Sequence, residues 1–353
     1  MDYYNICSEN VVCTIQVKRE FLRDSGMGQC MPLPKGEYNR NHVAVVLLNY
    51  NSTDELRVSV PQLAAQRGVR LTLILVDNAS SSDSLEEAKM WLKSWRPTAI
   101  VGSPEEVDHW VATHPGDARA HGCVYFILND ENRGYSAGNN VGIRLADMLG
   151  ADAVLIANPD MRIEDTKYLE SLSRYLDADE QNYVVASRIL DLDGKDQNPL
   201  RETEFWEELL WPFYVLRRRL NATPYVLNIE GNQAVPVPKV SGCCLLVRMA
   251  FLKATGLFDE HVFLYSEEPI FAAKVHRSGG VLLYVPSVTA THAHVVSKKG
   301  NSSLRMRNFI RSRLYYLHKY RDYKYWKMCF LRCSYALLYF AHLCKNYFSK
   351  FFH

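Results

Sequence analysis

Short, unbroken apolar runs alternate along this chain with longer stretches of mixed polarity. The runs 43-VAVVLLN-49, 71-LTLILV-76, 123-CVYFIL-128 and 153-AVLIA-157 lack the every-other-residue polarity of a half-exposed strand. They predict strands covered on both faces. Helices are predicted over 54–67, 83–95, 137–149 and 165–177, with a short strand at 183-YVVAS-187. The apolar runs 243-CCLLVR-248 and 281-VLLYV-285 follow, with the helix-like 249-MAFLKATG-256 between them. This alternation predicts an α/β fold with a mainly parallel sheet flanked by helices. Ligands in such sheets sit outside the carboxyl ends of the strands. Three stretches are less regular: 11-VVCTIQV-17 is a candidate strand, 31-MPLPKG-36 reads as a linker, and 96–122 has no assignable role. The segment 203-TEFWEELLWPFYVLRRRL-220 reads as an amphipathic helix interrupted at Pro212.

Three of the strands end in polar clusters. The first delivers Asn49, Tyr50, Asn51 and Ser52, the second Asp77, Asn78, Ala79 and Ser80, and the fourth Asn158, Pro159 and Asp160. Any one cluster alone reads as a helix cap or a turn. Three on one sheet edge point to a ligand crevice. There an Asp can accept from a base or ribose, a Tyr can stack on a ring, and another Asp can hold a hard cation that bridges phosphates. The loop 131-ENRGYSAGNNVG-142 carries Gly134, Gly138 and Gly142, which permit close backbone approach at a helix start suited to a phosphate. It is neither a GxGxxG after a strand nor a GK[ST] loop, so an ordinary loop remains the alternative. Farther on, Glu267 and Glu268 follow an aromatic-rich loop. Their mutual repulsion would raise one pKa and suit a general base. The alternative is a helix N-terminus capped by Ser266, with Pro269 in its first turn. After the last strand stand His292 and His294. His292 is either a metal ligand or a satisfied polar residue.

At 353 residues, with 48% hydrophobic and 23% charged positions, the chain has the makings of a soluble protein with one large domain or two. Nine scattered cysteines with no CxxC pair read as reduced thiols in a cytosolic protein. No apolar run reaches the ~18 residues of a membrane span, and MDYYNICSEN does not read as a secretory leader. The net charge of +2 conceals an asymmetry. Leu304–His353 holds 11 Lys and Arg against the single acid Asp322, a net of +10; of the totals of 41 and 39, this leaves 30 basic and 38 acidic residues elsewhere, a net of −8. The tail is also dense in aromatics from Tyr315 onward. A basic, aromatic tail on an acidic body suits anionic lipid or nucleic acid.

Seven stretches in order resemble the family 2 glycosyltransferases of GT-A fold, in the rhamnosyltransferase-like branch that builds bacterial surface polysaccharides. They are 49-NYNS-52, 76-VDNASSSDS-84, 132-NRGYSAGNNVG-142, 150-GADAVLIANPD-160, 241-SGCCLLVR-248, 256-GLFDEHVFLYSEE-268 and 286-PSVTATH-292. The resemblance runs from Val43 to Ser297. It implies an N-terminal extension (1–40), a GT-A domain (41–303) with a nucleotide-binding half (41–160) and an acceptor half (161–303), and a helical tail (304–353). Asn49, Tyr50, Asn51, Asp77 and Asn78 would line the base and ribose pocket. The loop from Asn132 through Gly134 to Asn139 would lie near the nucleotide and donor sugar. Asn158 and Asp160 stand at the family's DXD-type motif, so Asp160 would bind Mg2+ or Mn2+, with His292 as a second ligand. Ser241, Gly242 and Cys243 would border the donor sugar and acceptor.

The implied reaction is inverting transfer of a sugar, rhamnose among the candidates, from a dTDP- or UDP-linked donor to a polysaccharide or lipid-linked acceptor. Glu268 would be the base, with Glu267 beside it. The family has Asp where this chain has Glu268, and 269-PIFAAK-274 replaces its following acid pattern. One added methylene shifts a carboxylate by roughly 1.5 Å. That departure favours, as the competing expectation, a catalytically silent homologue acting as a scaffold in polysaccharide assembly. A nucleotidyltransferase is disfavoured because no Gly-rich, basic N-terminal loop is available for a triphosphate. Lipid-linked acceptors in the family turn the tail reading toward an anionic membrane surface and away from nucleic acid. Arg332 and His342 interrupt the apolar run there, which favours lying in the interface over spanning it. A hairpin packed on the catalytic domain or a homodimer contact is the alternative. The expected location is the cytoplasm, peripheral on the inner face of the cell membrane.

Overall fold

The computed structural model describes residues 41–212, 225–294 and 301–349. The candidate strand at 11–17, the linker at 31–36 and the second half of the helix expected at 203–220 lie outside them.

Five parallel strands build one half of a ten-stranded sheet: β1 (His42–Asn49), β2 (Arg70–Asn78), β3 (Ile100–Gly102), β4 (Cys123–Asn129) and β5 (Ala153–Ala157), in the order β3-β4-β2-β1-β5. The second half is mixed. Beyond β5 come β9 (Cys244–Arg248), β7 (Asn182–Leu190), β10 (Val281–His292) and β6 (Met161–Arg162), with β8 (Val235–Pro236) paired to β10. β9 runs antiparallel to both its neighbours, whereas β7 and β10 are parallel.

Helices α1 (Thr53–Ala64), α2 (Ser82–Trp95), α3 (Pro104–Thr113), α4 (Pro115–Ala118), α5 (Tyr135–Met148) and α6 (Tyr168–Asp177) connect the first strands. Later come α7 (Phe205–Leu209), α8 (Met249–Thr255), α9 (Glu267–Arg277), α10 (Ser302–Lys319) and α11 (Tyr325–Ser349). The stretch 96–122, without a role in the sequence, forms β3, α3 and α4. A capping box closes the start of α3: Ser103 Oγ accepts from Glu106 N, and the Glu106 carboxylate accepts from Ser103 N.

The unbroken apolar runs have a direct cause. Successive side chains of a strand point to opposite faces. Val43, Val45 and Leu47 pack in one core with Leu56, Val60 and Leu169, while Ala44 and Val46 enter the other with Ile143, Leu145 and Val275. A polar residue at any of these positions would be buried on one side or the other. Helix α5 lies especially close to the sheet. A Cβ on Gly142 would stand 2.6 Å from Val46 Cγ1, and one on Gly138 would stand 2.5 Å from Leu48 Cδ1. Gly142→Leu should therefore lift α5 and lower stability by roughly 1–3 kcal/mol in urea melts. A melt unchanged from wild type would contradict this packing.

Candidate active site

Three strand ends meet on one edge because β2, β1 and β5 are neighbours in register, with Asn49 opposite Asp77 and Leu47 opposite Ala157. The first two polar clusters are cross-braced. Asn49 Nδ2 donates to Asp77 Oδ1 (2.8 Å), Ser80 Oγ donates to the same oxygen (2.6 Å), and Ser80 N donates to Asp77 Oδ2 (2.9 Å). Asn51 takes a left-handed backbone (φ 53), donates from its N to Ser80 Oγ, and accepts from Ser81 N. Asn49, Asp77 and Asn78 are buried, whereas the Tyr50 ring is 54% exposed and free to stack. These side chains thus divide into braces and a presented aromatic.

The glycine-rich loop is tied to the same edge. Asn78 Nδ2 donates to Asn132 Oδ1 (2.9 Å), which also accepts from Gly134 N (3.0 Å). Gly134 has φ 95, and a Cβ there would sit 2.1 Å from the Phe263 carbonyl oxygen, so only glycine fits. The first N–H of α5, that of Tyr135, is already given to Phe263 O. Asn139 is buried within α5, where its Nδ2 donates to Tyr135 O. Asn140 fastens the far side of the loop, exchanging bonds with Phe258 N and O.

The third cluster forms a site with the end of β10. Asn158 N donates to Cys243 O, and the chain turns at Pro159 into β6. β6 pairs antiparallel with β10, setting His292 opposite Met161, and Ala293 N donates to Asp160 O. The pairing brings together residues more than 130 positions apart. Asp160, His292 and His294 offer ligand atoms all within 4.8 Å of one another. His294 Nδ1 is 3.1 Å from Asp160 Oδ2, and His292 Nε2 is 3.2 Å from Asp160 Oδ1. Burial opposes ionisation of Asp160, but the two imidazoles outweigh it and hold its carboxyl well below the usual range. The Asp160 contact in turn raises the His294 pKa.

Asp160 Oδ1 and His292 Nε2 lie 3.2 Å apart, an ion pair when the ring is protonated. Both atoms are buried and lack a hydrogen-bond partner among the described residues. On its other side, His292 donates from Nδ1 to Gln197 Oε1 at 2.7 Å. A neutral imidazole that donates from Nδ1 keeps a lone pair on Nε2. With the ring in that form, a carboxylate oxygen and an imidazole lone pair face each other across 3.2 Å. That arrangement fits a divalent cation, and Gln197 plays the orienting part that outer carbonyls play for metal-bound histidines. Gln197 and His294 were not among the expected ligand set. Gln197 had no signal, being 95 positions from His292 in an irregular stretch.

The acidic pair opens α9. Its N-terminus follows three non-glycine residues with positive φ, Leu257, Tyr265 and Ser266. Backbone strain of this kind persists where surrounding contacts over-determine it. Here Ser312 Oγ donates to Leu264 O, while Tyr315, Lys319 and Tyr320 all donate to Asp259 Oδ2. Ser266 occupies the cap position, but its side chain makes no capping bond. Pro269 does lie in the first turn.

The two acids differ in environment. Glu267 is buried beside a small void lined by Tyr135, Leu245, Phe258 and Phe271, and its Oε1 has no partner among the described residues. Burial, reinforced by the Glu268 charge, pushes its pKa up to about 8. Glu268 is half-buried against Gly242, where a Cβ would come within 3.3 Å of Glu268 Cγ. The missing Cβ leaves room for the longer Glu side chain. Tyr135 OH donates to Gly242 O (2.6 Å) and fixes this wall. The Cys243 thiol, whose pKa is raised mainly by burial, also feels the charges of both Asp160 and Glu268. Cys243 thus lies between the metal-type cluster and the acidic pair.

A GT-A-type sheet thus carries an Asp/His cluster on its strand-end edge and an acidic pair across Gly242–Cys243. The Glycosyl transferase family 2 model matches residues 44–253, more than half of the chain, and the protein belongs to that family. Agl10, a low-salt glycan biosynthesis hexosyltransferase of Haloferax volcanii, is 25% identical over 260 residues, which span 72% of this chain and 68% of Agl10. The N-acetylglucosaminyl-diphospho-decaprenol L-rhamnosyltransferase of Mycobacterium tuberculosis is 28% identical over 199 residues, 51% of this chain and 63% of that enzyme. Two solved structures share the fold at 16% identity. GalNAc-T7 with UDP, GalNAc and Mn2+ has a TM-score of 0.56, over 81% of this chain and 50% of its own. The Pyrobaculum calidifontis mannosyltransferase PcManGT with GDP-Man and Mn2+ has a TM-score of 0.51, over 93% and 85%.

Two outcomes are expected. Asp160→Ala should abolish the Mn2+-dependent rise in melting temperature, and Gln197→Leu should weaken Mn2+ binding by about 10–100-fold in a titration followed by electron paramagnetic resonance. Unchanged binding in both variants would remove the cluster as a metal site. The Glu267 proton gives the second outcome. Its folded pKa lies above the ordinary carboxylate value, so its neutral form is fully compatible with folding at low pH, and stability falls as pH rises toward about 8. Glu267→Gln should therefore gain stability over wild type progressively across that window. Parallel stability–pH curves would contradict the assignment.

Proposed function

We propose that the protein transfers a hexosyl group, rhamnose being the favoured sugar, from a dTDP- or UDP-linked donor to a hydroxyl of a glycan or lipid-linked acceptor, with inversion. The observation that carries this is the meeting of Asp160 Oδ1 and His292 Nε2 at the strand ends, tied by Asn158 N to Cys243 O beside the Gly242 wall of Glu268. Tyr50 stacks on the base, while Asp77, braced by Asn49 and Ser80, sits behind the ribose position. Asn132 and Gly134 shape the loop over the donor. A divalent cation held by Asp160 and His292, with His294 in reach, would offset the charge that builds on the departing nucleoside diphosphate.

Glu268 takes the proton from the acceptor hydroxyl. It has the exposure that a substrate contact needs, whereas Glu267 is buried and holds its proton. Gly242 supports the base role despite the added methylene, because the missing Cβ is where the longer side chain rests. The neutral Glu267 spares Glu268 a like charge next to it. A single displacement needs this one base and no covalent sugar–enzyme intermediate. The names of the archaeal and mycobacterial relatives support a hexosyl donor, and decaprenol in the second supports a lipid-linked acceptor.

Donor hydrolysis and transfer, assayed over a panel of nucleotide sugars with Mn2+ or Mg2+, test the reading. Glu268→Gln should lower kcat by about 100-fold or more, in the range of a lost general base. Glu267→Gln should stay within about tenfold of wild type, since it mimics the form already present. Turnover indistinguishable from background in wild type would favour the scaffold reading. The reverse ranking of the two variants would move the base to Glu267.

A further inference from the structure

The C-terminal hairpin has two faces of opposite character. One is bolted to the catalytic domain. Met328, Leu331, Tyr335 and Leu338 of α11 join Phe205, Val262 and Ile270 in a separate core. Buried Arg313 of α10 pairs with Glu208, which also accepts from Tyr335 OH, and Tyr316 OH donates to Glu202. Ser334 Oγ donates to Leu209 O, and Trp211 Nε1 donates to Ser334 O. The packing alternative expected from the sequence is therefore present on this face.

Among the described residues, the opposite face of α11 is uncovered except at its start, where Trp326 packs edge-on against Phe205. Trp326, Phe330, Cys333, Leu337, Phe340 and Tyr347 follow one another at steps of 4, 3, 4, 3 and 7 residues, which places them in one row along the helix. They are exposed, Leu337 and Phe340 by 65% and 67%. At 1.5 Å per residue the row is about 31 Å long. Contiguous apolar surface of this length marks a contact site.

The charges decide what covers it. Tyr325–Ser349 holds no Asp or Glu, while Lys327 and Lys345 flank the row on one shoulder and Arg332 on the other. A second copy would bring an equally basic helix against this one, with no acid at the flanking positions to answer it. Among the described residues no helix is long and apolar enough to cross a membrane. An apolar stripe carrying Trp and Phe, with basic shoulders, is the pattern of a helix lying in a bilayer interface. We propose that α11 lies flat in an anionic bilayer surface along the Trp326–Tyr347 row, its aromatic and leucine side chains in the acyl boundary and Lys345 and Arg332 at the headgroups.

This surface rests on the lipid-linked acceptor reading only for its purpose. Through α10, which grips the loop before the acidic pair at Leu264 and Asp259, it would hold the acceptor side of the site beside the membrane.

The test is flotation of the full chain with phosphatidylcholine vesicles and with vesicles carrying phosphatidylglycerol, at low and high salt, with no substrate present. The wild type should float with the anionic vesicles, and less so in high salt. Leu337→Glu combined with Phe340→Glu should lower partitioning tenfold or more while leaving the melt and donor hydrolysis unchanged. No flotation of the wild type, or equal flotation of the variant, would overturn the proposal. So would concentration-dependent dimers in sedimentation that the variant abolishes, since the row would then belong to a second copy. Because vesicle binding is read without substrate, its failure leaves the catalytic reading standing, and a catalytic failure leaves this one intact.

Discussion

Asp160 Oδ1 and His292 Nε2, both buried, lie 3.2 Å apart where β6 meets the end of β10. Such a pair calls for a positive charge between its two atoms, either a proton on the ring or a bound cation, because buried acceptors are costly unpaired. The sheet is arranged to impose this contact. The two-residue strand β6 pairs with the end of β10, and Gln197 locks the histidine ring from behind. The strand-end edge therefore presents a donor set of Asp160, His292 and His294 that fits a divalent cation.

A second tension sits across Gly242 and Cys243. Two adjacent glutamates begin α9, and burial separates their roles, keeping one protonated and leaving the other beside the crevice. The loop leading into them holds three non-glycine residues at positive φ, so it depends on outside support. That support comes from α5 through Gly134 and Asn140, and from α10 through Ser312, Tyr315 and Tyr320. The C-terminal hairpin is thus part of how the acidic pair is positioned, as well as a surface.

Much of this was legible in the sequence, for a physical reason. Strands buried on both faces must be apolar throughout, so β1, β2, β4 and β5 stood out as unbroken runs, and their polar ends marked the crevice. Short or mixed elements gave no such signal. β3 has three residues, and β6 and β8 have two each. The far half of β10, which carries His292, begins at Pro286 and alternates in burial, so the unbroken apolar run ends at Val285. The sheet's mixed half was equally hidden, since β9 looks like any buried strand whatever its direction. Asp160 and His292 were nameable separately. Gln197, and the unequal burial of Glu267 and Glu268, came only from contacts far apart in the chain.

The most direct test is diffraction from crystals grown with Mn2+ and a nucleoside diphosphate, collected at a wavelength where manganese scatters anomalously. The account predicts an anomalous peak bonded to Asp160 Oδ1 and His292 Nε2, with diphosphate oxygens completing its shell. A peak elsewhere, or nucleotide bound with the Asp160–His292 pair untouched, would contradict it.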